Sequence, residues 1–191
     1  MEKEQKNNPD KGIEDLPLKI KFNRKKAVFL LDVDSNSIKP DIKKDEAKKR
    51  GLFKKEDFHL TVIGTNTAKK IRESIKNLSL EEKEKKMKEI HALIKLMKWK
   101  ANMKNDFFYI QKDYKEPESD EIEKRETIIQ MADLDKLEEF YKKLDALVGQ
   151  KFEIPIPHVT LYSNSSVEEN KLRGIGVYSK KQFHDLKPER I

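Results

Sequence analysis

Two short stretches of this chain carry the same alternation of apolar and polar positions. Phe58-His59-Leu60-Thr61-Val62-Ile63 and Pro157-His158-Val159-Thr160-Leu161-Tyr162 both read apolar or proline, His, apolar, Thr, apolar. Their β-branched and aromatic content marks them as strands. Side chains alternate between the two faces of a strand. His59 and Thr61 therefore point one way, and Phe58, Leu60 and Val62 the other. His158, Thr160 and Tyr162 are expected to share a face opposite Val159 and Leu161. Each strand would offer one imidazole and one hydroxyl, backed by a row fit for a core.

The same reading extends to the rest of the chain. Residues 18–22 alternate as a strand, Asn23-Arg24 suits a turn, and residues 27–33 form an apolar run expected to be buried on both faces. Between 34 and 57 the pattern is poor. Ser35-Asn36-Ser37 suits a turn and residues 47–50 a short helix. Ala68, Ile71, Ile75 and Leu78 mark a helix. Ser79 and Glu82 have the spacing of a capping box, opening a second helix along Met87, Ile90, Ile94, Met97 and Ala101. Residues 107–110 and 126–131 read as a hairpin around an acidic loop at 113–121. Leu134, Leu137, Tyr141, Leu144 and Val148 mark a third long helix, ended by Gly149. Residues 163–166 suit a loop, and Gly174-Ile175-Gly176-Val177-Tyr178 a last strand. Residues 1–16 are polar and lysine-rich and read as a mobile tail, with 17–191 as one domain. The order of elements gives a mixed α+β fold with a crude repetition between its halves.

Composition narrows the chemistry. The 191 residues are 36% hydrophobic and 40% charged, with a net charge of +7, which favours anionic ligands. There is no Cys, so disulfides, thiolate catalysis and Cys-ligated zinc are excluded. The N-terminus has no apolar signal region and no apolar run approaches membrane-spanning length. A soluble, intracellular, cytoplasmic protein is expected, a monomer with no membrane and no obligate protein partner.

Of four His, only His59 and His158 lie in alternating strands with Thr two places on; His91 and His184 read as surface residues. An imidazole exists in both protonation states near neutral pH. Two across one cavity can divide proton transfer, one taking a proton from water and the other giving one to a leaving oxygen. Two Thr hydroxyls can hold the non-bridging oxygens of a phosphate. No metal or other cofactor is required.

On these residues the chain resembles the two-histidine phosphoesterase superfamily, and within it the LigT-like RNA 2′,3′-cyclic phosphodiesterases. The resemblance rests on His59-Leu60-Thr61 and on Pro157-His158-Val159-Thr160. It implies a two-lobed, pseudo-twofold fold, with antiparallel sheets lining a central cleft and helices outside. It also implies metal-independent hydrolysis of 2′,3′-cyclic phosphate RNA ends, 2′-5′ oligoadenylate or cyclic nucleotides. His59 and His158 would be catalytic, and Thr61 and Thr160 would bind phosphate.

Other residues carry weaker readings. Tyr162 and Tyr109 are possible substrate-binding residues, against the ordinary role of an interior strand Tyr. Phe107 and Phe108 could stack a base, but aromatics in a central strand usually serve the core. Arg173, Lys180 and Lys181 flank the expected last strand and could clamp phosphate. Two alternatives compete with the enzyme. One is a catalytically silent RNA- or nucleotide-binding module of the same fold. The other is a magnesium-dependent phosphatase using Asp32 as nucleophile, since Asp32 and Asp34 end an apolar strand in an Asp-x-Asp arrangement.

Overall fold

The structure is a computed structural model and describes residues 18–115 and 122–191. The expected N-terminal tail and most of the acidic loop lie outside these residues. The fold is α+β, built on two antiparallel sheets. Strands β1 (Lys19–Asn23), β2 (Val28–Asp32) and β4 (His59–Ile63) form the smaller sheet in that order. The larger sheet runs β3 (Phe53–Lys54), β7 (His158–Ser165), β6 (Ile122–Leu134), β5 (Ala101–Lys115), β8 (Glu189–Arg190). Helices α1 (Lys44–Lys49), α2 (Thr65–Ser74), α3 (Leu80–Leu96), α4 (Leu137–Val148) and α5 (Lys180–Asp185) complete it.

The long helices bury the stripes their sequences predict. Ala68 and Ile71 of α2, Ile90 and Ile94 of α3, and Phe140, Tyr141 and Leu144 of α4 join Phe29, Leu31, Leu60 and Val159 in one core. Trp99 closes it against Phe29 and Phe140, with ring centroids 5.4 Å from each. Ser79 and Glu82 form the expected capping box, and Gly149 ends α4 in the left-handed region. Stripe ends overreach the helices. Ala101 opens β5 instead of ending α3, and Leu134 ends β6 instead of starting α4, because an apolar residue beside a helix continues its spacing by chance.

Each His strand is interrupted at the same place. In β4, Thr61 pairs with Leu30 and Ile63 with Phe29, so Val62 is an extra residue. In β7, Thr160 pairs with Ile129 and Tyr162 with Ile128, so Leu161 is extra. These are β-bulges, and each reverses the alternation after its Thr. Two consecutive buried residues follow, Val62-Ile63 and Leu161-Tyr162. Tyr162 thereby turns into the core instead of sharing the face of His158 and Thr160. The bulge carbonyls are paired across the fold. Tyr141 donates its hydroxyl to the Val62 carbonyl at 2.7 Å. The Lys55 amide donates to the Leu161 carbonyl at 2.9 Å.

Three expectations fail near the C-terminus and in β2. Residues 163–166 are not a loop, because β7 continues to Ser165 against Thr127, Glu126 and Arg125. Residues 174–178 keep their alternation, with Ile175 and Val177 buried, yet form no strand. The Gln182 amide side chain takes their backbone instead, accepting from the Tyr178 N–H at 2.6 Å and donating to the Gly176 carbonyl at 3.3 Å. Ile175, Val177 and Phe183 pack with Ile110 and Ile129 in a second, smaller core. β2 is buried on one face only, since Val28 and Leu30 are half-buried.

Removing the Tyr141 hydroxyl leaves a buried carbonyl at the β4 bulge without its partner. Tyr141→Phe should therefore lower unfolding stability by about 1–2 kcal/mol, measured by urea denaturation; an unchanged midpoint would show that the bulge does not depend on this bond.

Candidate active site

The two bulged strands approach each other, and their half-buried residues converge. His59, Thr61, His158 and Thr160 line one cavity of about 150 Å³, together with Lys55, Pro155 and the 174–178 segment. That volume suits a phosphate group and is too small for a nucleoside, since pockets for small ligands span about 300–1,000 Å³. Val159 and Leu60 between the polar residues are fully buried on the far side, so packing fixes where the imidazoles and hydroxyls point.

His158 Nδ1 lies 2.8 Å from the Ile156 carbonyl oxygen. A carbonyl only accepts, so Nδ1 carries a proton and Nε2 is the free nitrogen. Burial is the main influence on both rings and pulls both below the ordinary histidine value. The Ile156 carbonyl opposes this at His158, while His59 adds to it, so the two imidazoles feel each other's charge. At His59, Lys55 adds to the depression and Asp32 opposes it. Asp32 is the cross-strand neighbour of His59 and is held by Lys21 Nζ at 2.7 Å.

The cavity is built for an anion. Among the described residues no carboxylate lines it, and Lys55 supplies a cation. The N-terminus of α2 opens beside it, with Gly64 and Thr67 in the lining and no side chain capping the first turn. Unpaired amides and the helix dipole both favour negative charge there. The 174–178 segment approaches the threonine closely. A Cβ on Gly174 would come 3.0 Å from Thr160 Oγ1, so only glycine lets the backbone pass over that hydroxyl without displacing it.

Other predicted residues lie elsewhere. Tyr162 donates its hydroxyl to the Pro40 carbonyl at 3.1 Å, outside the cavity. Tyr109 is 4% exposed, donates to Glu126 and carries the Arg50 guanidinium 3.9 Å over its ring. Phe107 belongs to the main core, and Phe108 packs edge-on against Phe183. His91 stacks on Phe22 and bonds Arg24 at 2.8 Å, and His184 is exposed on α5. Asp34 caps the turn at Ser35–Ser37, accepting from the Asn36 amide at 2.7 Å. Among the described residues, no group of three metal-ligating side chains forms around Asp32 and Asp34. Sequence reasoning missed Lys55, Thr67 and Tyr178. Nothing distinguishes Lys55 among 42 basic residues, whereas the Gly174-x-Gly176 spacing marked a close backbone approach that was read as a strand.

Because both histidines are held neutral by burial, the unfolded chain binds protons more readily than the folded one below about pH 6.5. Stability should therefore fall as pH drops through that value. In denaturation at pH 7.5 and 5.5, a His59→Asn, His158→Asn double variant should lose less stability than the wild type; equal losses would place the titrating groups elsewhere. No protein-family model, curated protein or solved structure matches this chain, so the reading of the site rests on its own side chains.

Proposed function

We propose that this protein is a metal-independent phosphodiesterase of the two-histidine type, acting on a cyclic phosphate or an oligonucleotide phosphodiester. One observation carries the reading. Two His-x-Thr pairs from distant parts of the chain, each ended by a bulge, line a single phosphate-sized cavity. The matching bulges also support the pseudo-twofold, LigT-like arrangement of the two strands.

On a 2′,3′-cyclic phosphate the balance is simple. One imidazole takes a proton from water as the water oxygen bonds to phosphorus. The bond from phosphorus to one ribose oxygen breaks, and the other imidazole protonates that oxygen. The product is a phosphate monoester. Thr61 and Thr160 donate hydrogen bonds to the non-bridging oxygens, and Lys55 and the α2 N-terminus stabilise the charge that develops there.

The test is hydrolysis of 2′,3′-cyclic nucleotides, cyclic-phosphate-ended RNA, 2′-5′ oligoadenylate and cyclic dinucleotides in EDTA. His59→Ala and His158→Ala should each lower kcat/KM by about 10²–10⁴-fold, with melting temperatures near that of the wild type. Thr61→Val and Thr160→Val should lower it less. The profile of kcat/KM against pH should be bell-shaped, with its maximum below about pH 6.5 because burial depresses both histidines. Full activity of both single His variants on a verified substrate would overturn the assignment. Tight binding of nucleotides without turnover would instead favour a silent binding module.

A further inference from the structure

A second hollow of about 430 Å³ adjoins the histidine cavity. Thr61, Gly64, Gly174, Gly176 and Tyr178 belong to the walls of both, so the two lie side by side. The second is large enough for a nucleoside where the first is not. Its floor is the half-buried face of β2, Val28 and Leu30, and its far side is the β5–β6 hairpin with Tyr114 and Arg125.

Tyr178 stands at the junction as a fixed partition. Its hydroxyl lies 3.3 Å from Thr65 Oγ1. A Cβ on Gly176 would fall 2.5 Å from its hydroxyl oxygen and one on Gly64 3.2 Å from its ring. Both glycines therefore make room for this ring.

The opposite wall is also pre-set. Arg125 is 7% exposed and is gripped by Glu123 through Nε at 2.6 Å and Nη2 at 2.5 Å. Glu123 accepts a further bond from Ser165 Oγ at 2.6 Å. The guanidinium lies 4.2 Å over the Tyr114 ring, and Lys112 Nζ lies 4.7 Å from the same ring. The charge of Arg125 is thus balanced by Glu123, and its work is to position Tyr114. Arg173 differs. It is exposed at the mouth, its charge reaches Tyr114, and among the described residues it has no ion pair.

We propose that this second hollow receives the nucleotide adjoining the scissile phosphate, with its sugar or base against Tyr178 and its next phosphate on Arg173. The substrate is then an oligonucleotide of two or more residues and not a free mononucleotide. The inference rests on the phosphodiesterase reading for what sits in the first cavity.

Two experiments separate the two claims. The first compares kcat/KM on a mononucleoside 2′,3′-cyclic phosphate with that on dinucleotides ending in the same group, one joined 3′-5′ and one 2′-5′, and on a cyclic dinucleotide. A linear dinucleotide should be preferred by about tenfold or more, and Arg173→Ala should bring that ratio down to about one, with Arg173→Lys retaining part of it. The better linear dinucleotide identifies the linkage, and the cyclic dinucleotide, which also carries a next phosphate, should lose rate with Arg173→Ala in the same way; a mononucleoside 2′,3′-cyclic phosphate turned over as well as either linear dinucleotide would overturn the proposal. The second uses the His59→Ala, His158→Ala protein and measures binding of a 3′-phosphorylated dinucleotide and a 3′-mononucleotide by calorimetry. Tighter dinucleotide binding that Arg173→Ala removes supports the second hollow even if no substrate turns over. Equal affinities, or a loss shared equally by both ligands, overturn it even if the wild type is an active phosphodiesterase.

Discussion

The site depends on one departure from regular strand geometry, made twice. A strand that alternates strictly cannot offer a His and a Thr to a cavity and then commit its next two residues to a core. The extra residues Val62 and Leu161 allow this, by reversing the alternation immediately after Thr61 and Thr160. The carbonyls of these extra residues lie in a dry region, where an unpaired one costs about 1–3 kcal/mol. Tyr141 from α4 and the Lys55 amide beside β3 meet that need. Tyr141 lies outside the sheet of β4, so the bulge of that strand rests on helix packing, while the β7 bulge is met by the neighbouring strand segment.

Burial and charge act against each other at the imidazoles. Desolvation is the leading influence on both and holds them neutral. Lys55 reinforces this at His59 and is itself pulled down by burial. A cavity with a cation, a helix N-terminus and two neutral imidazoles lacks negative charge. The phosphodiester proposed as substrate would supply it and by linkage raise both histidine values toward the range where one ring can hold a proton for the leaving oxygen. The depressed histidine values and the acid–base work proposed for these residues are therefore compatible.

Most of the fold is legible because its helices and strands bury what their periodicity says they bury. The Ile90 and Ile94 stripe, the Ser79 capping box and the pairing of β1 with β2 need only local information. The four polar residues of the site were legible for the same reason, since the alternation up to each Thr is regular. Tyr162 was not, because a bulge has no marker in the sequence here and one extra residue exchanges the faces of everything beyond it. The 174–178 segment was misread for a complementary reason. Its alternation is real, but a strand also needs a neighbour with free backbone groups, and here Gln182 takes that place.

That segment also closes the cavity. Gly174, Gly176 and Tyr178 roof the histidine cavity, while Ile175 and Val177 anchor the same backbone from its other side. The anchor is the small second core with Phe183, separate from the large core that holds the helices and both His strands. The two Gln182 bonds hold the segment's backbone, and the Tyr178 hydroxyl reaches Thr65 at the start of α2. A roof held in this way keeps its glycines over the imidazoles and hydroxyls, as a fixed proton-transfer geometry would require.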